Sequence, residues 1–265
     1  MRVEDFTIRD IDGLAALQPP DWGDIRPHFE QHIKSAYAHP IKFEIDGKLV
    51  AVGTTILHAD TAWLAQIIVH PDYRNRSLGT KMTQALLDSI NQETHPTVYL
   101  IATPLGEPVY RKLGFKEEGG QVFMKGDETK TRVEVPEIMP YDSQYADKLF
   151  SMDFEVSGED RKYRISEHLR DAVIYVRNGE FLGYYLPSLG EGPIVATDPV
   201  AGTALMAYRL QDRDIAVLSI DNPIGVRFLE DRGFMRTREA RRMRLGPFRP
   251  WKAHCMYNRI SGQLG

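Results

Sequence analysis

Two stretches of this 265-residue sequence combine residue types and spacings suited to chemistry. The first runs Ile67-Ile68-Val69-His70-Pro71-Asp72-Tyr73-Arg74-Asn75-Arg76-Ser77-Leu78-Gly79-Thr80. An apolar run enters a loop, and the loop opens an amphipathic pattern. A helix starting there would present unpaired backbone N–H groups and about half a positive charge. Such an end binds phosphate. Ser77, Gly79 and Thr80 are small enough to let a phosphate approach the backbone. Arg74 and Arg76 add donors matched to phosphate oxygens. The same residues would equally suit an ordinary strand-to-helix turn with solvated arginines. The second stretch, Ala102 to Phe115, places Tyr110 one helical turn before Leu113-Gly114-Phe115. Taken alone, Tyr110 reads as a half-buried packing residue.

The elements that position these residues follow from the flanking pattern. Arg2–Ile8 reads as an opening strand, Asp10 or Asp12 as the cap of a short helix to Leu17, and 25–37 as a second helix. Strands fit 41–45 and 49–57, with Asp46-Gly47 as a tight hairpin turn between them. The strand 63–69 is apolar almost throughout, as a central strand would be. A helix over 79–90 buries Met82, Leu86, Leu87 and Ile90 on one face. A strand at 98–101, a short helix at 107–113 and a closing strand near 122–124 complete the first half. Gly126 to Lys130 is polar and reads as a linker. The order then repeats: helices at 144–150 and 159–169, a hairpin 173–186 around Asn178-Gly179, and a short strand 194–196. Thr197-Asp198-Pro199 starts a helix. A strand at 215–220, a helix at 223–231 and a strand at 241–245 follow. Leu113-Gly114-Phe115 has its counterpart in Arg232-Gly233-Phe234, which favours duplication over coincidence. The fold class is α/β (α+β), with domains at 1–126 and 133–265.

Composition narrows the function classes. There are 33 basic and 37 acidic residues, a net charge of −4, and 42% hydrophobic residues. These are values of a soluble globular protein and give no support for nucleic-acid or anionic-membrane binding. The single cysteine, Cys255, excludes an intrachain disulfide framework and a cysteine-based zinc site. No apolar run reaches the roughly 18 residues of a membrane span, and the acidic start does not read as a signal peptide. A cytoplasmic location is the expectation. No His/Asp/Glu spacing suggests a metal.

Together the two stretches resemble the GNAT superfamily of acetyl-CoA-dependent N-acyltransferases. Its pyrophosphate loop, Arg/Gln-x-x-Gly-x-Gly/Ala, is matched by Arg74-Asn75-Arg76-Ser77-Leu78-Gly79. Val69 to Arg74 and Tyr110 to Phe115 are also typical of it. The first motif glycine is Ser77 here, which fits the loop unless a positive φ is required. The resemblance covers about residues 1–125. It implies that the backbone of Ile67 and Val69 faces the pantetheine arm, in the splay of the sheet that the family is known for. It assigns the pyrophosphate to the amides of Asn75, Arg76, Ser77, Leu78, Gly79 and Thr80, beside Arg74. It assigns to Tyr110 the protonation of the leaving CoA thiolate. A tyrosine, with a pKa of about 10, holds that proton at neutral pH. A substrate amine would attack the thioester directly, its oxyanion held by backbone donors, with no acyl-enzyme. Cys255 is then a bystander. No carboxylate lies on 63–69. Gln66 cannot take a proton, but could orient a water or the substrate. Asp60, His58, Glu30, His28 and His32 are weak candidates for a base.

The second half resembles a domain often fused to GNAT modules, sometimes called acetyltransferase domain 18. The resemblance rests on Gly158-Glu159-Asp160-Arg161, Gly183-Tyr184-Tyr185, Gly192 to Ala196, Asn222 to Phe234, and Arg242-Met243 with Leu245-Gly246. It implies two tandem GNAT-like domains, each a mixed, mostly antiparallel sheet flanked by helices. From Pro199 to Gly233 the second half is nine residues shorter than the first from Pro71 to Gly114. No phosphate-loop pattern remains, and Phe228 stands where Tyr110 would. The expectation is one acetyl-CoA site, in the first half, with the second half walling the acceptor pocket or supporting the fold. The basic run 236–244 could form a nucleic-acid patch, but Glu239 interrupts it and the chain is net acidic, so it reads as a solvated strand face. Arg161 and Arg164 could read an acidic acceptor but fit a solvated helix face better, and 251–257 reads as an aromatic tail packed on a domain. The leading reading is an N-acetyltransferase acting on a small primary amine, without nucleic acid or membrane and compatible with a homodimer. The alternative is a non-catalytic CoA- or acyl-CoA-binding regulatory module. A third reading is an α/β protein that binds neither.

Overall fold

The computed structural model describes residues 2–20, 22–127 and 134–264. Most of the expected linker, from Glu128 on, lies outside the described residues. Packing groups the chain into two compact units. The first holds residues 1–117 with Met243–Pro247, and the second Glu118–Arg242 with Phe248–Gln263.

The first unit opens with β1 (Arg2–Asp5) and a 3-10 turn over Ile8–Ala16. Thr7 and Asp10 form a reciprocal capping box there, so Asp10 acts from inside the turn and not as its cap. Next come α1 (Arg26–Lys34), β2 (Ala38–Ile45) and β3 (Lys48–Leu57). The β2–β3 turn has positive φ at both Asp46 (51°) and Gly47 (73°), which fits Asp-Gly to this hairpin. β4 (Thr61–Val69), α2 (Leu78–Asp88), β5 (Thr97–Ala102) and α3 (Glu107–Lys112) follow. The strand order is β1-β2-β3-β4-β5, antiparallel up to β4, and the β4–β5 pair is parallel. Met243 packs into this unit's core with Met82, Leu86, Val98 and Leu100. Gly53 on β3 leaves space that a β-carbon could not share, 2.8 Å from Leu86 and 3.2 Å from Met82, so α2 lies directly on the sheet.

The second unit contains β6 (Lys116–Lys125) from Glu118 onward, then β7 (Ile138–Pro140), α4 (Ala146–Ser157) and the short α5 (Lys162–Ser166). It continues with β8 (Val173–Arg177), β9 (Glu180–Tyr185), β10 (Ile194–Ala196), α6 (Pro199–Arg209) and β11 (Ile215–Ser219). It ends with α7 (Pro223–Glu230), β12 (Met235–Leu245) and β13 (Met256–Asn258). One sheet runs β13-β10-β9-β8-β7, and β12-β6-β11 run side by side. The aromatic tail does pack back: β13 pairs with β10, and Tyr257 fills the space beneath Gly202 of α6.

The matching Gly-Phe endings have one physical cause. Gly114 (φ 91°) and Gly233 (φ 81°) take the left-handed conformation that closes α3 and α7. In each case the following phenylalanine N–H bonds back five residues, Phe115 to Tyr110 O at 3.1 Å and Phe234 to Leu229 O at 3.0 Å.

Two arginine expectations are corrected. Arg161 is 1% exposed and lies within the core of the second unit, held by Asp153. The strand after Met235 does expose Arg236 and Arg238, but Arg242 is buried between Glu118 and Glu159 and stacked 4.2 Å above the Trp251 ring. A buried guanidinium needs such partners, because an unpaired charge there is costly.

Candidate active site

β4 and β5 pair only over Thr61–Trp63 and Thr97–Tyr99. Beyond Trp63 the strands part, and among the described residues the stretch 64–69 has β3 alone as a ladder neighbour. The His70 N–H donates to Val50 O at 2.9 Å, which puts residue 70 on the β3 side. By strand alternation Val69 turns its backbone the other way, toward the opening. The Val69 carbonyl there accepts a hydrogen bond from Arg74 Nε at 3.3 Å.

The loop after β4 is held by its own side chains. The His70 ring accepts from the Asp72 N–H, and Pro71–Tyr73 form one 3-10 turn. The Tyr73 ring lies under Arg76 at 5.0 Å and Lys48 at 5.3 Å. Then φ alternates in sign: −65° at Arg74, +60° at Asn75, and +58° at Ser77, with Arg76 outside the positive region. Left-handed residues separated by an ordinary one are the backbone pattern of an anion-binding nest, which here spans Asn75–Ser77, after the extended Arg74. Ser77 thus sits at the motif position that does require a positive φ, which explains the usual glycine. A serine there costs about 1 kcal/mol.

Ser77 precedes α2, yet its side chain makes no cap hydrogen bond to the first turn. Gly79 lies between Val69 and Val109, and a β-carbon there would meet both at 4.0 Å, an ordinary contact. Neither its dihedrals nor its neighbours therefore demand glycine. What glycine does provide is close access to the backbone at the mouth of the nest, and this fits a bound phosphate. Leu78 is buried in the core under the nest. Arg74 and Arg76 are exposed beside it, and Thr80 is half-buried.

Tyr110 lies on α3, 9% exposed, edge-on to Phe115 with centroids 6.0 Å apart. Its ring folds back over Gly106, where a β-carbon would come within 2.8 Å of the ring and 3.2 Å of the hydroxyl. Burial pushes the phenol well above its ordinary value of 10. It stays protonated at any physiological pH.

The base candidates separate by environment. His32 is buried with Nδ1 3.1 Å from Thr54 Oγ1, and His58 is buried at the end of β3. Glu30 and Asp60 are half-buried, and His28 is exposed. None stands on β4. Cys255 is buried in the second unit, and burial raises its thiol, which disfavours the nucleophilic thiolate. Among the described residues no group of three His, Cys, Asp or Glu could hold a metal, and no helix is long and apolar enough to cross a membrane.

The corresponding region of the second unit is closed by its own chain. β13 pairs with β10, Ile194 opposite Asn258 and Val195 opposite Met256. Across to β11, the Val217 N–H donates to Asn258 Oδ1 and the Arg259 N–H to Val217 O, both at 2.9 Å. The N-terminus of α6 is taken by Asp198, which accepts from the Ala201 N–H at 2.9 Å. Phe228 has the Arg232 guanidinium over its ring at 3.6 Å.

Sequence reading missed two features. One is the buried cluster of Asp153, Arg161 and Tyr184, in which Arg161 Nε and the Tyr184 hydroxyl both donate to the Asp153 carboxylate. A pocket of about 240 Å³ opens beside it, lined by Phe150, Asp153, Glu159, Asp160 and Arg161. The runs Gly158-Glu159-Asp160-Arg161 and Gly183-Tyr184-Tyr185 were its traces in the sequence. The other is the distortion of β4 at Gln66, where φ is +51°.

A mixed sheet whose central strand parts from its parallel neighbour beside a nest-patterned loop is the arrangement that the resemblance to N-acyltransferases implies. Within that class, residues 24–128 match the acetyltransferase (GNAT) domain, and the chain carries such a domain, a scaffold for acyl transfer. None of the curated proteins matches the sequence. The whole chain is similar in fold to a candidate acetyltransferase from Pyrococcus horikoshii, at 20% identity and a TM-score of 0.80, covering 100% of this chain and 95% of that one. It is also similar to a GCN5-related N-acetyltransferase from Sphaerobacter thermophilus, at 15% identity and a TM-score of 0.63, covering 94% and 96%. A tandem GNAT protein of the clavulanic acid biosynthesis pathway shares the fold at 14% identity and a TM-score of 0.57, covering 90% and 94%.

Proposed function

We propose that this chain is an N-acetyltransferase that moves the acetyl group of acetyl-CoA to a primary amine of a small molecule. The observation that carries the reading is the nest pattern of residues 75–77. It opens onto the uncapped start of α2, beside the freed edge of β4. Acetyl-CoA supplies a thioester already activated for attack by an amine. The amides of Asn75–Thr80 and the arginines 74 and 76 would hold its pyrophosphate. The backbone of Ile67 and Val69 would align its pantetheine arm as a neighbouring strand. Tyr110 would give its proton to the departing thiolate sulfur. Backbone donors of β4 would stabilise charge developing on the acyl oxygen. The working site belongs to the first unit. The protein would act in the cytoplasm, without metal, nucleic acid or membrane.

One observation favours a second reading, a non-catalytic module that binds CoA or acyl-CoA: β4 carries no ionisable side chain. Turnover separates the two.

The binding step is tested by thermal stability with acetyl-CoA, for the wild type and for Gly79→Glu. A ligand at about a hundred times its Kd stabilises the folded state by about 2.7 kcal/mol. A rise in Tm for the wild type, absent in a variant that still folds, supports the site. No rise at millimolar acetyl-CoA overturns both readings.

A further inference from the structure

Two unfavourable features fall on one residue of the central strand. Gln66 has φ +51°, a conformation that non-glycine residues avoid within a strand. Its cause is a bulge. Val52 pairs with Ile68 and Thr54 with Ala65, so Gln66 and Ile67 together face the single residue Gly53. The Gln66 side chain is 9% exposed, and its buried Oε1 accepts no hydrogen bond from the described residues. An amide oxygen removed from water without a partner destabilises a fold, and apolar side chains of similar size would avoid that. Strain and an unmet acceptor at one position of an enzyme's central strand point to a ligand that meets the acceptor.

We infer that Gln66 Oε1 accepts a hydrogen bond from an N–H of the attacking amine and thereby sets its orientation. The inference rests on the acetyl-transfer reading above. A neutral primary amine has two N–H bonds and one lone pair. With one N–H held by Gln66, the lone pair is free to form the C–N bond as the C–S bond breaks. The thiolate takes the Tyr110 proton. The nitrogen then sheds its extra proton to water, from which Tyr110 is reprotonated. Gln66 takes no proton at any stage. That selects the class of acceptor. An alcohol must lose its proton as it attacks, whereas a free amine need not, so a site with an amide at this position is built for amines over hydroxyls.

The test uses the full chain as wild type, Gln66→Leu and Gln66→Glu, with acetyl-CoA and a panel of primary amines and their hydroxyl analogues. The expected result is amine-dependent thiol release by the wild type and none with the hydroxyl analogues. Gln66→Leu should lose at least tenfold in kcat/KM for the amine. It should keep its acetyl-CoA-induced thermal shift and melt at the same temperature or higher. Gln66→Glu, which retains an acceptor oxygen, should recover part of that loss. Two results overturn the inference while leaving acetyl transfer intact. One is a Gln66→Leu variant within twofold of the wild type. The other is one that loses activity together with stability, which would make the amide a structural group. A wild type that binds acetyl-CoA but releases no thiol with any amine overturns the reading beneath it.

Discussion

Asn258 and Val217 are joined by a hydrogen bond from the Val217 N–H to Asn258 Oδ1, and this bond ties β13, which also pairs with β10, to β11. In the first unit the corresponding edge of β4 has no ladder partner beyond Trp63 among the described residues. Asp198 adds a second obstacle, because its carboxylate occupies the N-terminus of α6 that a phosphate would need. Titration calorimetry of the full chain with acetyl-CoA should therefore give one equivalent bound per chain. Two equivalents would show that β13 and Asp198 do not close the second unit.

Ser77 pays for its position with a left-handed backbone. Ser77→Gly should stabilise the free protein by about 1 kcal/mol, less the greater freedom of glycine in the unfolded chain. Urea unfolding checks this. A stability loss of similar size would mean that the serine makes a contact worth more than the strain.

Tyr110 is buried over Gly106 and keeps its proton. Tyr110→Phe should lower kcat by about 10²–10⁴-fold, the usual weight of a general acid. It should leave acetyl-CoA binding and Tm near wild type, because the ring packing is retained. An unchanged kcat would assign the proton to another donor.

Burial also raises the phenols of Tyr184, well above its ordinary value, and of Tyr257, to about 12. For a group with a raised folded-state pKa, the stabilisation is complete below the unfolded value of about 10. It is lost as the pH rises through the folded values, because only the unfolded chain ionises freely. Tm should stay level in this respect to about pH 10 and then fall. Scanning calorimetry between pH 8 and 12 reads it, and a Tm flat across that range would contradict the burial of these hydroxyls.

Asp153 accepts from both Arg161 and Tyr184 in the core of the second unit. Asp153→Ala leaves a buried guanidinium without its carboxylate and should destabilise the protein by about 3–5 kcal/mol. Denaturant unfolding measures it. A loss below 1 kcal/mol would mean that the cluster relaxes into water through the adjoining pocket.

Much of this was legible in the chain. Asp46-Gly47 and Asn178-Gly179 marked both hairpins, since only such residues accept two successive positive φ values. The apolar run before His70 and the small residues after Arg76 marked strand, loop and helix start. Gly114-Phe115 and Gly233-Phe234 marked helix ends. Other features were hidden for physical reasons. A bulge such as that at Gln66 is a matter of register with β3, and no local residue type announces it. Arg242 looks like a solvated charge until Glu118 and Glu159, distant in the chain, are brought beside it, and Arg161 looks like one until the turn from α4 to α5 folds it back on Asp153, eight residues earlier. Ser77 was readable as a small residue, but the sign of its φ was not.

Amine-dependent release of CoA thiol from acetyl-CoA, measured for the wild type beside Tyr110→Phe, bears most directly on the proposed activity. Acetyl transfer through the first unit predicts release that depends on the amine and collapses in the variant while its acetyl-CoA-induced thermal shift persists. Binding of acetyl-CoA with no amine-dependent release from the wild type, across a broad panel of primary amines, would contradict it and leave a binding module in its place.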